Sequence, residues 1–149
     1  MSRQIQIFFG KGDVFLVDLL EEAARDNTRY LWNALPVEGE AFHCMWSGQG
    51  IYAKLPDIPV NPGENQQIIG IQPGTLAIEY YPSHMRCVGP RTGIILTYGA
   101  NFLFRNPYSV ANPLLLIGKI RENLTRLAEV GIRIRREGGE GLKLERVGG

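Results

Sequence analysis

The chain has 149 residues, of which 44% are hydrophobic and 21% charged, a balance typical of soluble globular domains. Its 16 basic and 15 acidic residues leave a net charge of +1, so no overall field favours a nucleic acid or an anionic membrane as a partner. This length predicts one domain, residues 1–149, which buries roughly two thirds of the surface that the unfolded chain exposes.

The chain opens with a predicted β-hairpin followed by a helix. Residues 3–9 alternate polar and apolar side chains, "GKGD" at 10–13 forms the turn, and a second apolar run begins at Val14. Residues 18–35 predict a helix of about four turns, because apolar residues recur there at spacings of three and four. Asp18 is its predicted N-cap and Pro36 follows its end.

Residues 39–56 predict a strand with a bend or bulge at "SGQG", residues 47–50. Alternation along this strand places Phe42, Cys44 and Trp46 on one face and His43 and Met45 on the other. Three prolines and a glycine at 56–64 predict a surface loop.

The remaining residues predict mostly strands. Two short strands surround a Pro-Gly turn within 66–83, one or two strands lie at 93–104 with Gly99 as a bulge or turn, and 112–120 is a strand buried on both faces. Residues 120–131 predict a second helix with Gly131 as its C-cap. Alternating Ile and Arg at 132–136 favour a strand with a solvated arginine face, paired through "EGGEG" with a strand at 142–147.

About eight short strands and two amphipathic helices predict a mainly β fold. Because the helices occur at only two points in the chain, a doubly wound sheet is excluded. The pattern instead favours a closed antiparallel β-barrel capped by two α-helices.

Location and thiol chemistry are inferred from what the sequence lacks. Residues 1–15 have no signal-peptide pattern, and no apolar run is long enough to span a bilayer. Cys44 and Cys87 match no zinc or CxxC spacing, so we expect two reduced thiols in a cytoplasmic protein, with a disulfide between them as the alternative.

The order of these elements resembles that of the cyclophilins. "DNTRYLWNAL" at 26–35 resembles their first helix, Phe42-His43 their strand that carries the isomerase arginine, "PGTLAI" at 73–78 a later strand, and 117–130 a strand-to-helix junction. Residues 19–56 are similar, more closely, to small bacterial proteins of unknown function assigned to the cyclophilin-like superfamily. Their Ala-Leu-Pro, Gly-Glu-Ala, His-x-x-Trp-Ser-Gly and Tyr-Gly motifs correspond to 34–36, 39–41, 43–48 and 98–99 here. The resemblance implies a cyclophilin-like barrel without an established reaction.

Prolyl isomerase activity is not expected. In cyclophilins an arginine follows Phe-His and stabilises the twisted amide of the substrate, whereas Cys44 occupies that position here. The strand aligned with the isomerase groove, near 92–96, also lacks the expected glutamine.

Aromatic and amide side chains in three segments indicate a ligand site. The candidate ligand-binding residues are His43, Trp46, Tyr81, His84, Tyr98 and Asn101. Adjacent strand residues point to opposite faces, so His43 does not activate Cys44 as a nucleophile. Barrel-core or rim packing is the structural alternative for each of these residues. His43 with His84 and either Glu79 or Cys87 matches no metal-ligand spacing, and we predict neither a metal nor a cofactor.

Three functional hypotheses follow. The preferred one is a module that binds a small molecule or a short peptide. The second is an enzyme, either a divergent peptidyl-prolyl isomerase or a small-molecule isomerase or hydrolase with His43 or His84 as acid and base. Such a histidine would benefit from a carboxylate partner such as Glu38, Glu40 or Glu79. The third is an assembly subunit, a homo-oligomer paired through the edge at 59–70.

Overall fold

The computed structural model describes residues 2–44, 46–79, 92–105 and 111–148. Nine strands and two helices occur in these ranges: β1 Gln4–Phe9, β2 Val14–Leu19, α1 Arg25–Ala34, β3 Val37–His43, β4 Gly48–Leu55, β5 Gln66–Gln67, β6 Thr75–Glu79, β7 Thr92–Phe102, β8 Leu114–Lys119, α2 Leu124–Glu137 and β9 Glu140–Arg146.

Eight of the nine strands form a closed antiparallel barrel. Their order is β2-β1-β9-β3-β4-β7-β6-β8, and β8 pairs again with β2 through Asp18 opposite Lys119 and Leu19 opposite Gly118. The short β5 adds to β8 outside this ring. The predicted fold class, a closed barrel of about eight strands with two helices, is therefore confirmed.

The barrel interior is one large apolar cluster to which both helices contribute. Strand residues such as Ile5, Ile7 and Leu76 are fully buried there, together with Leu31 of α1 and Leu127 of α2. A second cluster, which includes Cys44, Ala77 and Ile95, covers the outer face of part of the sheet. Burial on both faces explains the unbroken apolar runs at 76–78 in β6, 94–96 in β7 and 114–117 in β8, as predicted for β8.

The first helix is shorter than predicted. It begins at Arg25, whereas Asp18 lies in β2, so the prediction of Asp18 as an N-cap was wrong. Residues 18 and 19 are needed as strand residues, because their pairing with β8 closes the barrel. The end of the helix at Ala34, two residues before Pro36, agrees with the prediction.

The segment at 39–56 reverses direction instead of continuing as one strand. β3 and β4 pair antiparallel, with His43 opposite Ile51, and Gly48 adopts a φ of 109°. Glycine is required there, since a side chain would strain this backbone and overlap the carbonyl of Asn101. By contrast, the segment predicted as one or two strands at 93–104 forms a single long strand, β7, which ends at Phe102. Its register against β4 shifts near Gly99, where a bulge or turn was predicted.

The second helix is longer than predicted. It continues through Gly131 to Glu137 and ends at Gly138, so Gly131 is not its C-cap and 132–136 is not a strand. The Ile-Arg alternation misled the prediction, because only Ile134 is buried whereas Ile132 is 43% exposed. Leu127, Val130 and Ile134 continue a helical spacing into the core. "EGGEG" accordingly links a helix to β9, not two strands.

Candidate functional site

His43 and Tyr98 are brought together at the end of the barrel where β3 ends. The Nε2 atom of His43 lies 2.6 Å from the hydroxyl of Tyr98, and the Nδ1 atom lies 2.9 Å from the carbonyl oxygen of Cys44. Because a carbonyl only accepts, Nδ1 carries the proton and donates it. In the neutral ring Nε2 then accepts from the Tyr98 hydroxyl.

The surroundings favour the uncharged form of both groups. Burial lowers the pKa of His43. The hydrogen bond to Cys44 acts to raise this pKa, whereas the positive charge of Arg135 lowers it further. Burial likewise raises the pKa of Tyr98, against the influence of Arg135. The pair is therefore a neutral imidazole and a phenol at neutral pH. Both ring nitrogens of His43 are already bonded, and neither partner is the carboxylate that an acid-base role would favour.

Tyr98 is held from the side by α2. Its ring packs directly on the backbone of Gly131, where a Cβ atom would overlap the ring carbons. The side chain is 6% exposed, so its position is fixed by packing. The missing side chain at Gly131 thus creates the space from which the Tyr98 hydroxyl reaches His43.

Trp46 and Asn101 follow His43 and Tyr98 by three residues each, Trp46 after β3 and Asn101 within β7. Trp46, in the segment between β3 and β4, is 60% exposed. Asn101 is exposed near the end of β7, and its backbone N–H donates to the side-chain oxygen of Gln49 at 3.0 Å. The Gln49 side chain lies over Gly99, which leaves no room for a Cβ atom there. Gln49 therefore fixes the register shift of β7, a role that the sequence did not indicate.

The Cys44 thiol is buried and is not part of the His43–Tyr98 pair. It is 7% exposed within the outer apolar cluster, not in the barrel interior, and burial together with the charge of Glu79 raises its pKa to about 12. A thiol with this pKa is protonated at neutral pH and is a poor nucleophile. Phe42 and Trp46, predicted on the same face as Cys44, are both exposed.

The other predicted site residues, Tyr81 and His84, lie outside the described residues, as does Cys87. In the described ranges, no three His, Cys, Asp or Glu side chains are grouped in a way that would hold a metal ion. Across the same ranges, neither helix has the length and apolar character needed to span a bilayer.

A separate groove of about 590 Å³ is lined by Arg3, Asp18, Trp32 and Val147, among others, and by none of the predicted site residues. The guanidinium groups of Arg3 and Arg146 lie 4.6 and 4.9 Å from the ring centre of Trp32. Arg146 also donates two hydrogen bonds to the Trp32 carbonyl, at 3.1 and 2.8 Å. Cations at the carboxyl end of a helix stabilise it, so this cluster has a structural explanation.

Sequence comparison identifies the family. Residues 7–146 match the profile described as "Protein of unknown function (DUF3830)", and the chain belongs to this family. The predicted relationship to a family of unknown function is thereby supported. Comparison with curated proteins gave no match.

Solved structures that share the fold include the following two. The structure of McbB in complex with tryptophan matches with a TM-score of 0.72 and 19% identity over 98% of this chain. This chain covers 45% of the McbB chain, so it spans less than half of that protein. The solution structure of the hypothetical protein AF2241 from Archaeoglobus fulgidus matches with a TM-score of 0.61 and 24% identity, over 98% of this chain and 95% of that one. At these identities the similarity concerns the fold.

Proposed function

We propose that this DUF3830 protein is a binding module for a small molecule or a short peptide, with its site at the end of the barrel formed by His43, Tyr98 and Trp46. The observation that carries the proposal is the 2.6 Å hydrogen bond between His43 and Tyr98. A polar pair that packing holds in place, together with the exposed Trp46 indole three residues along the chain, is a combination that could orient a ligand and cover its apolar face.

The direction of the hydrogen bonds defines what the pair offers. The Tyr98 proton is directed to His43, so the phenol oxygen is left to accept a hydrogen bond from a ligand N–H or O–H. Trp46 would supply the apolar contact area. McbB, which shares the fold, forms a complex with tryptophan, which supports a small-molecule ligand for a barrel of this kind.

A ligand screen tests the proposal. Thermal unfolding of the purified protein is followed with small carboxylates, amides, metal ions and proline peptides. A ligand at a hundred times its Kd is expected to stabilise the protein by about 2.7 kcal/mol. The shift should disappear in Tyr98→Phe, which removes the hydroxyl, and in Trp46→Ala. It should persist in Tyr30→Phe, a matched change on the partly buried tyrosine of α1.

Stabilising compounds whose effect survives both site substitutions would contradict the assignment of this site, and a library without any hit would contradict a binding role. Proline peptides also test the relationship to cyclophilins, which we retain as a proposal. The buried Cys44 thiol at the position of the isomerase arginine argues against catalysis of that kind.

The expectations for location and assembly are likewise proposals. A cytoplasmic protein without nucleic-acid or membrane partners agrees with the net charge of +1. For self-association through 59–70, Ile68 and Ile69 supply exposed apolar surface, at 45% and 75% exposure, although Gln66 and Gln67 already pair with β8. Light scattering after size exclusion tests this proposal, and a monomer at all concentrations would contradict it.

A further inference from the structure

Two glycine contacts, one on each side of Arg135 along the chain, indicate that Arg135 lies near the candidate site. Four residues earlier, Gly131 packs on the Tyr98 ring. Four residues later, Gly139 lies against the ring of Phe42, which precedes His43 at the end of β3 and points to the opposite face of that strand. Residues four apart share one face of a helix, so Arg135 follows Gly131 along the face that meets β7. The chain from 131 to 139 thus runs from the Tyr98 ring to the end of β3, where Ala41 pairs with Glu140, and Arg135 lies midway along it.

Among the described residues, no carboxylate pairs with Arg135. Within the ranges that the structure describes, its exposed side chain forms no ion pair or hydrogen bond. Nearby charges on α2 are already paired, since Arg133 binds Asp13 and Glu140, and Glu137 binds Lys11. In agreement with this position, the positive charge of Arg135 acts to lower the pKa of both His43 and Tyr98.

We propose that the ligand of this site carries a carboxylate group, which Arg135 binds. The inference rests on the proposed function of His43 and Tyr98 and specifies its ligand class. A guanidinium group presents parallel N–H donors that match the two oxygens of a carboxylate. An aromatic hydroxy acid would satisfy all three groups: its carboxylate binds Arg135, its hydroxyl donates to Tyr98, and its ring packs on Trp46.

Calorimetric titration with paired probes tests the inference. Mandelate and 3-phenyllactate supply an aromatic ring, a hydroxyl and a carboxylate, and their primary amides keep the same shape without the charge. The wild-type protein is expected to bind each acid at least about tenfold more tightly than its amide, as for a charge-assisted bidentate contact. Arg135→Gln should abolish this preference, and Arg135→Lys should retain part of it.

Arg136→Gln is the matched control. It removes the same charge from the same last turn of α2. Its side chain is directed about 140° around the helix axis from Gly131, whereas Arg135 is only about 40° away. The acid-over-amide preference should therefore survive in Arg136→Gln. Circular dichroism and thermal unfolding verify that each variant is folded.

An independent readout is the pKa of His43, followed by NMR without any ligand. Arg135→Gln should raise it, because a nearby positive charge is lost, and Arg136→Gln should change it less. Equal affinity for acid and amide, a preference unaltered in Arg135→Gln, or an unchanged His43 pKa would each overturn the carboxylate inference but leave the site itself standing. Failure of all the probes and of the wider library to bind would overturn the proposed function as well.

Discussion

At the scale of single residues, the site depends on Gly131. Helices rarely favour an interior glycine, since alanine in its place is usually better by about 1 kcal/mol. Here a Cβ atom would overlap the Tyr98 ring, and Tyr98 in turn holds His43. We therefore interpret Gly131 as a packing requirement of the site.

Gly131→Ala should destabilise the protein by about 1–2 kcal/mol in urea denaturation, because overpacking costs more than the gain in helix propensity. In a Tyr98→Ala background, where the ring is absent, the same substitution should be neutral or stabilising. Arg136→Ala, an exposed change on the same helix, serves as the control and should have little effect. Stabilisation by Gly131→Ala in the wild-type background would contradict the packing seen here.

At the scale of elements, α1 is capped at both ends by residues that are distant in the sequence. Ala24, at the N-cap position, forms no side-chain cap. The Glu64 carboxylate instead accepts from the backbone N–H groups of Asp26 and Asn27, at 2.9 and 2.8 Å, and Arg146 binds the Trp32 carbonyl at the other end. A negative charge at the amino end of a helix and a positive one at its carboxyl end both stabilise it.

Glu64→Ala should reduce the free energy of unfolding by about 1 kcal/mol, the usual cost of losing an N-cap. Glu64→Gln keeps an acceptor oxygen and should cost less. Faster hydrogen exchange at Asp26 and Asn27, measured by NMR, would locate the effect at the start of α1. Glu22→Ala, at an exposed position just before the helix, is the control. Unchanged exchange in Glu64→Ala would show that the cap contributes little.

At the scale of the whole molecule, a charged cluster joins the β1–β2 turn, α2 and β9. Arg133 binds Glu140 through two hydrogen bonds of 2.9 Å and Asp13 at 2.7 Å, and Arg126 binds Asp13 at 2.6 Å. The side chains of Asp13 and Glu140 are only 10% and 6% exposed. Burial alone would raise the pKa of Asp13, but the hydrogen bonds from the two arginines outweigh it and lower this pKa.

Because the folded protein has the lower Asp13 pKa, the unfolded chain binds more protons in the acidic range. The stabilisation is complete above the usual Asp pKa of about 3.9 and is lost as the pH falls through the lower folded value. Asp13→Asn should lower the free energy of unfolding by about 1–3 kcal/mol at neutral pH and by less at low pH. Urea denaturation at pH values from 7 to 3 measures this difference. The control, Glu122→Gln, changes an exposed acid. An equal loss at all pH values would contradict the electrostatic origin.

The sequence by itself determined the elements whose local hydrophobic pattern matches their burial in the folded protein. The hairpin around "GKGD", the strand at 112–120 and the mainly β closed barrel all follow from local alternation and turn residues. His43 and Tyr98 were recognised as candidates by residue type and by resemblance, and the structure places them in contact. Their participation in ligand binding stays a prediction.

Only the tertiary structure decided features that depend on partners far along the chain. Asp18 lies in a strand because β8 requires a partner, and α1 begins at Arg25, where the distant Glu64 caps it. From the sequence, Arg135 was predicted on the solvated face of a strand. The alternation at 132–136 does not distinguish a strand from the end of an amphipathic helix, and α2 buries its other face through Leu127, Val130 and Ile134. Local patterns record propensity and amphipathicity, whereas barrel closure, capping across the chain and the position of a charge beside Tyr98 arise only from long-range packing.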